Sequence, residues 1–436
     1  MSTLFHQDGN RRHFIASAAK TLLGVGSAPA FLHGFPGTAQ AALGPGLGLP
    51  DRMNPAKSVI YLYMSGGMTH MDTFDTKPGH ENQGPVRSIP TSAEGVEISE
   101  YLPRLATHMD KAALVRSMTS TAGAHAQGNY YMHTSYEMRS TIRHPGIGAW
   151  LLKYRGQLNK NLPGSVCIAG GSRVIGGSGF FESSFEPLAI GDPESGLRNS
   201  QMAPGLTEER FDSRLSLAAD LDREFRERYD LKRVRAYPSM YDDAVRIMNS
   251  KDLEVFKLAQ EAAETRALYG ESAFGQGCLL ARRLVERDVR AVEVTLGGWD
   301  THNNNFLSAP EKAEILDQGV SALLADLERR GLLEQTLVVI ATEFGRTPKI
   351  NQNEGRDHYP KAFSCMLAGG GVKGGYVHGK TSAGGEVVEE NPVKIPDFNS
   401  TIAYALGLPL DQVLYSPSKR PFTVASKGKP ILEMLS

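Results

Sequence analysis

The chain has 436 residues, 41% of them hydrophobic, and 47 Lys plus Arg stand against 48 Asp plus Glu for a formal net charge of -1. That balance excludes a charge-driven binder of nucleic acid or anionic membrane, while the apolar fraction suffices for a large buried core. Cys167, Cys278 and Cys365 are far apart and form no C-x-x-C spacing, which argues against a disulfide framework or a thiolate zinc site and leaves buried apolar thiols as the expectation.

Near the start, Arg11-Arg12-His13-Phe14-Ile15 precedes a weakly apolar run from Ala16 to Leu32 that is interrupted by Lys20, Gly24, Gly26 and Pro29. The run is too short and too broken to span a bilayer. Together with Ala39-Gln40-Ala41 it resembles a twin-arginine (Tat) export signal ending in a small-residue cleavage site. Residues 1–41 are then removed, and residues 42–436 form a single domain. The expected location is the periplasm or surface of a bacterium, with the Tat translocase as partner during export and no membrane span after cleavage. A basic N-terminal arm with an amphipathic helix is the alternative reading of the same residues.

Ser58 to Met64 is a continuous apolar and β-branched run closed by Ser65-Gly66-Gly67, which is how a strand buried on both faces reads. Similar runs follow at Ala113–Val115, Ser165–Ile168, Ala291–Leu296, Thr336–Ala341 and Ala362–Leu367. Gly170 to Gly179 and Gly191 to Pro204 read as loops, and about 206–270 as a charged helical insertion. Gln276 to Asp288 and Glu311 to Arg330 read as helices, the second on the spacing of Leu316, Val320, Leu323, Leu324 and Leu327. Strand and helix in alternation predict an α/β fold with a mostly parallel, doubly wound sheet. There is no internal repeat.

In such a sheet ligands gather at the carboxyl ends of the strands. His70, Asp72 and Asp75 follow the first strand, Asp300 and His302 follow the run at Ala291, and Glu343 follows the run at Thr336. Asp357 and His358 immediately precede the run at Ala362. Carboxylates and imidazoles without nearby thiols suit one or two hard or borderline divalent ions, whether Zn, Mn, Mg or Ca. Arg346, Arg356 and Lys361 are candidates to meet an anionic group. Each group also has a plainer role: turn caps for Asp72 and Asp75, an ion pair with Arg346 for Glu343, and a carboxylate orienting an imidazole for Asp357 and His358. Trp299 and Tyr359 read as packing residues, with flanking of a sugar or other apolar substrate face as the alternative. Gly369 to Gly375 reads as a turn, since it lacks the ending of a phosphate-binding loop.

The motifs Ser65-Gly66-Gly67-Met68-Thr69-His70-Met71-Asp72, Gly298-Trp299-Asp300-Thr301-His302, Glu343-Phe344-Gly345-Arg346-Thr347-Pro348 and Gly355-Arg356-Asp357-His358 resemble those of the DUF1501 family of exported bacterial proteins, a relative of the alkaline phosphatase and sulfatase superfamily. The resemblance implies an alkaline-phosphatase-like three-layer sandwich with helices on both faces of the sheet. It also implies metal ligands at Asp72, Asp300, His302, Glu343 and His358; Asp357 beside His358 completes the expected ligand set, and His125 and Arg346 are the expected catalytic groups. Phe344 stands where that superfamily has a histidine ligand. His125 stands near its hydroxyl nucleophile, with Thr119, Ser120 and Thr121 as nearby hydroxyls, and there is no sulfatase Cys-x-Pro-x-Arg or Ser-x-Pro-x-Arg signature. The implied function is metal-dependent hydrolysis of a phosphate or sulfate ester, on a small molecule, a carbohydrate or a cell-envelope polysaccharide. The alternative is a degenerate member that binds polysaccharide or a partner protein through the old cleft.

Overall fold

The computed structural model describes residues 54–168, 176–197, 205–228, 245–248 and 250–436. The expected export signal at 1–41 lies outside the described residues, as do parts of the loops at 170–179 and 191–204 and of the insertion at 206–270.

Each apolar run becomes a strand because β-branched and aromatic side chains fit a pleated surface covered on both sides. The principal strands are β1 (Ser58–Met64), β2 (Ala112–Thr119), β3 (Ser165–Ile168), β4 (Leu188–Ile190), β5 (Ala291–Leu296), β6 (Thr336–Ala341) and β7 (Phe363–Ala368). Two short ones, β8 (Tyr376–His378) and β9 (Val393–Lys394), complete a nine-stranded sheet. Its order is β8-β2-β7-β6-β1-β5-β3-β4, with β9 against β2. β1 pairs in parallel with β5 and β6, and β3 with β4 and β5, while β7 runs antiparallel to both β6 and β2. That one reversal matters for the site. It brings the residues preceding β7 to the same edge as the residues following β1, β2, β5 and β6.

Successive side chains of a strand point to opposite faces, and the two cores divide accordingly. On one face Ile60, Leu62 and Met64 of β1 join Val292, Val294, Val338 and Ile340 beneath α4 (Ala273–Glu286) and α5 (Asn305–Arg329), numbered after α1 (His125–Thr134), α2 (Ile147–Arg155) and α3 (Glu208–Arg228). On the other face Val59, Tyr61, Tyr63, Leu337 and Val339 pack with Met132 of α1, Trp150 of α2, and Phe398 and Ile402 of α6 (Ile395–Ala405). Each such aliphatic or aromatic side chain contributes about 1.5–3 kcal/mol on burial. The result is a three-layer α/β/α sandwich.

The helix expected from Glu311 begins instead at Asn305. Its first turn carries no apolar period, but the N–H groups of Asn304 and Asn305 donate to the carbonyls of Asn353 and Glu354, and that tertiary tether starts the helix early. The other helix begins at Ala273, where the Ser272 hydroxyl accepts from the Gly275 N–H. In the insertion, α3 exposes Leu217 and Leu221. All three cysteines are buried, and burial pushes their thiols up. Among the described residues no helix is long and apolar enough to cross a membrane.

Candidate metal centre

Five loops meet at the carboxyl edge of the sheet. The loop after β1 crosses the one after β5 so closely that a Cβ on Gly66, at φ +114°, would lie 2.6 Å from the Asp300 N atom. Only glycine tolerates that combination of backbone angle and contact. The crossing holds Asp300 at the centre of the cluster while Trp299 beside it is buried in the core.

Three imidazoles surround one oxygen of Asp300. Nε2 lies 3.3 Å from Asp300 Oδ1 for His125, 3.2 Å for His302 and 3.4 Å for His358. The Nε2 atoms of His302 and His358 are 3.0 Å apart. Each ring has its Nδ1 against a pure acceptor: His125 on Glu343 Oε1 at 2.8 Å, His302 on Asp357 Oδ1 at 2.6 Å, and His358 on the Gly123 carbonyl at 2.9 Å. An acceptor at Nδ1 calls for the proton there, which in the neutral ring leaves the lone pair on Nε2. Three lone pairs and a carboxylate oxygen therefore face one another, and the His125 Nε2 is buried without a hydrogen-bond partner. With all three rings neutral such an arrangement is repulsive by itself, and either a proton on one Nε2 or a bound cation relieves it. Ligand atoms of His125, Asp300 and His358 all lie within 4.8 Å of one another, the one such group among the described residues.

The carboxylates behind the rings are spent on orientation. Glu343 is completely buried; its Oε1 accepts from His125 and, at 2.8 Å, from the Gly66 N–H, while Oε2 accepts from the Tyr63 hydroxyl at 3.1 Å. Burial opposes its ionisation, but the bonds from His125, its own N–H and the Gly66 N–H outweigh that and hold its carboxyl below the usual value. The His125 imidazole is raised by its bond to Glu343, against a smaller opposing effect of burial. Burial likewise opposes the charge on Asp300, yet the Arg346 guanidinium, His125 and His302 bring it down to about 2. For His358 burial dominates and lowers the imidazole. The Phe344 ring is buried, with its centroid 5.0 Å from that of His125 and 4.7 Å from that of His358, so a packing ring stands where the resemblance implied a histidine ligand.

The sequence-derived candidates thus separate. Asp300, His302, Glu343, Asp357, His358, His125 and Arg346 come together. Asp72 does not join them: fully buried, it pairs with Arg356 at 2.9 Å and accepts from Thr69 and Asn305, each at 2.8 Å. Asp75 pairs with Lys77 at 2.8 Å and bonds Thr381, and His70 Nε2 meets the Gly385 carbonyl at 3.1 Å. Arg346 and Arg356 are wholly buried, which removes them from direct contact with an incoming anion. The ion pair of Arg346 is with Asp300, not with Glu343. The Thr119 hydroxyl donates to the Val393 carbonyl of the adjacent strand at 3.2 Å, and that of Ser120 accepts from the Ala122 N–H at 3.1 Å, so backbone engages both. His125 is the first residue of α1. Sequence reasoning missed Tyr63 and the Gly123 carbonyl: one read as an ordinary strand residue, and the other has no side chain to signal it.

The model of a family described as Protein of unknown function (DUF1501) matches residues 56–435. No curated protein matches the chain. Among solved structures it is similar to a protein in the alkaline phosphatase superfamily from Vibrio parahaemolyticus, at 10% identity over 86% of this chain and 70% of that one, with a TM-score of 0.42. It is also similar to a sulfatase from Pseudoalteromonas sp. (10% identity, 86% and 73% covered, TM-score 0.39) and to a phosphonate monoester hydrolase from Silicibacter pomeroyi (11% identity, 87% and 76% covered, TM-score 0.39). Identities this low carry no activity across, and the chemistry rests on the site itself.

Proposed function

The chain belongs to the DUF1501 family, and for this member we propose an exported metal-dependent hydrolase of phosphate or sulfate esters. His125, Asp300 and His358 bind the divalent metal, and His302 with Asp357 forms the basic dyad. The observation that carries the reading is the convergence of Nε2 lone pairs on Asp300 Oδ1, each ring fixed from behind by an acceptor. Histidine ligands oriented by carboxylates or carbonyls in this way are a general property of protein metal centres. A bound divalent ion supplies Lewis acidity, polarising the ester oxygen and the attacking water.

The side chains of this protein do the rest. Asp357, on Nδ1 of His302, holds the ring with its Nε2 lone pair directed to the cluster. His302 is more exposed than His125 or His358, which suits a base that must exchange its proton with solvent. It takes a proton from water as the water oxygen forms its bond to phosphorus or sulfur, the ester P–O or S–O bond breaks, and the alkoxide leaves with a proton from solvent while His302 returns its own to solvent. These assignments exchange the roles first expected of His125 and His302 and move Glu343 and Asp357 from ligands to orienting groups. Export by the Tat route, with a carbohydrate or envelope ester as substrate, remains part of the proposal on the strength of the N-terminal motif.

The test is turnover of a panel of phospho- and sulfoesters by the metal-loaded protein and by Asp300→Ala. Chelator-sensitive turnover lost in the variant supports the hydrolase; no turnover of any ester by a metal-loaded wild type removes it. A second reading, a non-catalytic binder of polysaccharide or protein, draws on the placement of His125, rather than a hydroxyl residue, at the start of α1. Ligand capture that persists after the metal is stripped would favour it.

A further inference from the structure

Two carboxylates at this sheet edge are met by buried guanidinium groups, and from this we propose that the centre holds a single metal ion, with Arg346 supplying a second, fixed positive charge at Asp300. The inference rests on the metal reading above. Arg346 Nη2 bonds Asp300 Oδ1, the oxygen that the three imidazoles also face. The rest of the guanidinium is anchored to backbone: Nε donates to the Gly67 carbonyl at 3.0 Å, Nη1 to the Arg356 carbonyl at 3.1 Å, and Nη2 also to the Gly66 carbonyl. The side chain is fully buried, so it cannot swing away, and a guanidinium keeps its charge at any working pH. A second dication sharing Asp300 would lie against that charge.

Nor do the other acids at this edge offer a free second ligand set: the exposed Asp357 is spent on Nδ1 of His302 at 2.6 Å and on the Asn351 amide at 3.4 Å. Both oxygens of Asp72 face Arg356, at 2.9 and 3.1 Å, and Thr69 and Asn305 complete its hydrogen bonding. Asp75 is held by Lys77 and Thr381. Glu343 is engaged by His125, Gly66 and Tyr63. Buried Arg346 and Arg356 and the partly exposed Lys77 therefore neutralise Asp300, Asp72 and Asp75, and His125 occupies Glu343, where a two-ion centre would need free carboxylates.

The experiment is titration of the metal-stripped full chain with Mn²⁺ and with Zn²⁺ by calorimetry, with elemental analysis after desalting. One equivalent per chain is expected; two equivalents, or none, would overturn the proposal. Arg346→Lys, which keeps the charge, is expected to bind like wild type, whereas Arg346→Gln, which removes it, should bind the single ion about tenfold more tightly as the repulsion is lifted. Equal affinity in the two variants would reduce Arg346 to a structural brace and refute its electrostatic part. Should Arg346→Gln fail to fold, the wild-type stoichiometry still decides between one ion and two. Turnover is read separately, in the ester panel above, so the outcomes stay distinct: one bound ion without hydrolysis sinks the hydrolase alone, two ions sink this inference alone, and no ion sinks the metal reading as well.

Discussion

Glu343→Gln isolates the contribution of one buried charge behind a metal-facing imidazole. Oε1 of Glu343 accepts from both the Gly66 N–H and His125 Nδ1, and Oε2 from the Tyr63 hydroxyl. A glutamine that places its carbonyl at the Oε1 position keeps the first two bonds, and its amide can donate to the Tyr63 oxygen. The packing and the ring orientation of His125 are thereby kept, while the negative charge that makes the imidazole a stronger ligand is lost. Loss of such an orienting carboxylate typically costs 10–100-fold in metal affinity, or about 1.4–2.8 kcal/mol. The expected result is that fall in Mn²⁺ or Zn²⁺ affinity by calorimetry, with a thermal midpoint within a few degrees of wild type. Unchanged affinity would refute the claim that Glu343 acts through His125. A loss beyond about a thousandfold would instead make Glu343 a ligand in its own right.

His302→Ala and Asp357→Asn are expected to retain the metal but to slow turnover by about 10²–10⁴-fold, measured as kcat beside elemental analysis; loss of the metal in either would contradict the assignment of the dyad. Asp72→Asn removes one partner of a wholly buried ion pair and leaves Arg356 uncompensated, so a loss of about 3–5 kcal/mol is expected in denaturant unfolding, with one metal equivalent still bound by the folded fraction. For pH, the raised His125 imidazole stabilises the fold below its unfolded-state value, and that contribution is lost as pH rises through the folded value. The metal has the opposite preference, because a proton on Nε2 removes the lone pair. Metal affinity should therefore fall as pH drops through the His125 transition, and Glu343→Gln should move that fall to lower pH. Asp300, already down to about 2, stays ionised throughout.

The architecture was legible because it repeats a simple signal. Runs such as Ser58–Met64 and Thr336–Ala341 are apolar on both faces, and helices with one apolar stripe separate them. The acids and histidines near the strand ends were legible as chemistry for the same reason: no packing need explains Asp300 or His358 there. Their roles were not legible. Whether a carboxylate binds an ion or steadies the imidazole that binds it depends on which ring nitrogen it faces, and for Glu343 that ring lies 218 residues away on His125. Asp72 illustrates the other loss. A following-strand aspartate reads as a ligand until a buried Arg356, distant in sequence, is found against both its oxygens. Helix starts moved where tertiary bonds overrode composition, as at Asn305.

A crystal structure of the Mn²⁺-loaded protein with anomalous scattering tests the central claim most directly. One anomalous peak coordinated by His125 Nε2, Asp300 Oδ1 and His358 Nε2 is the predicted result. Absence of bound metal, or a peak centred on Asp72, Glu343 or Asp357, would contradict it.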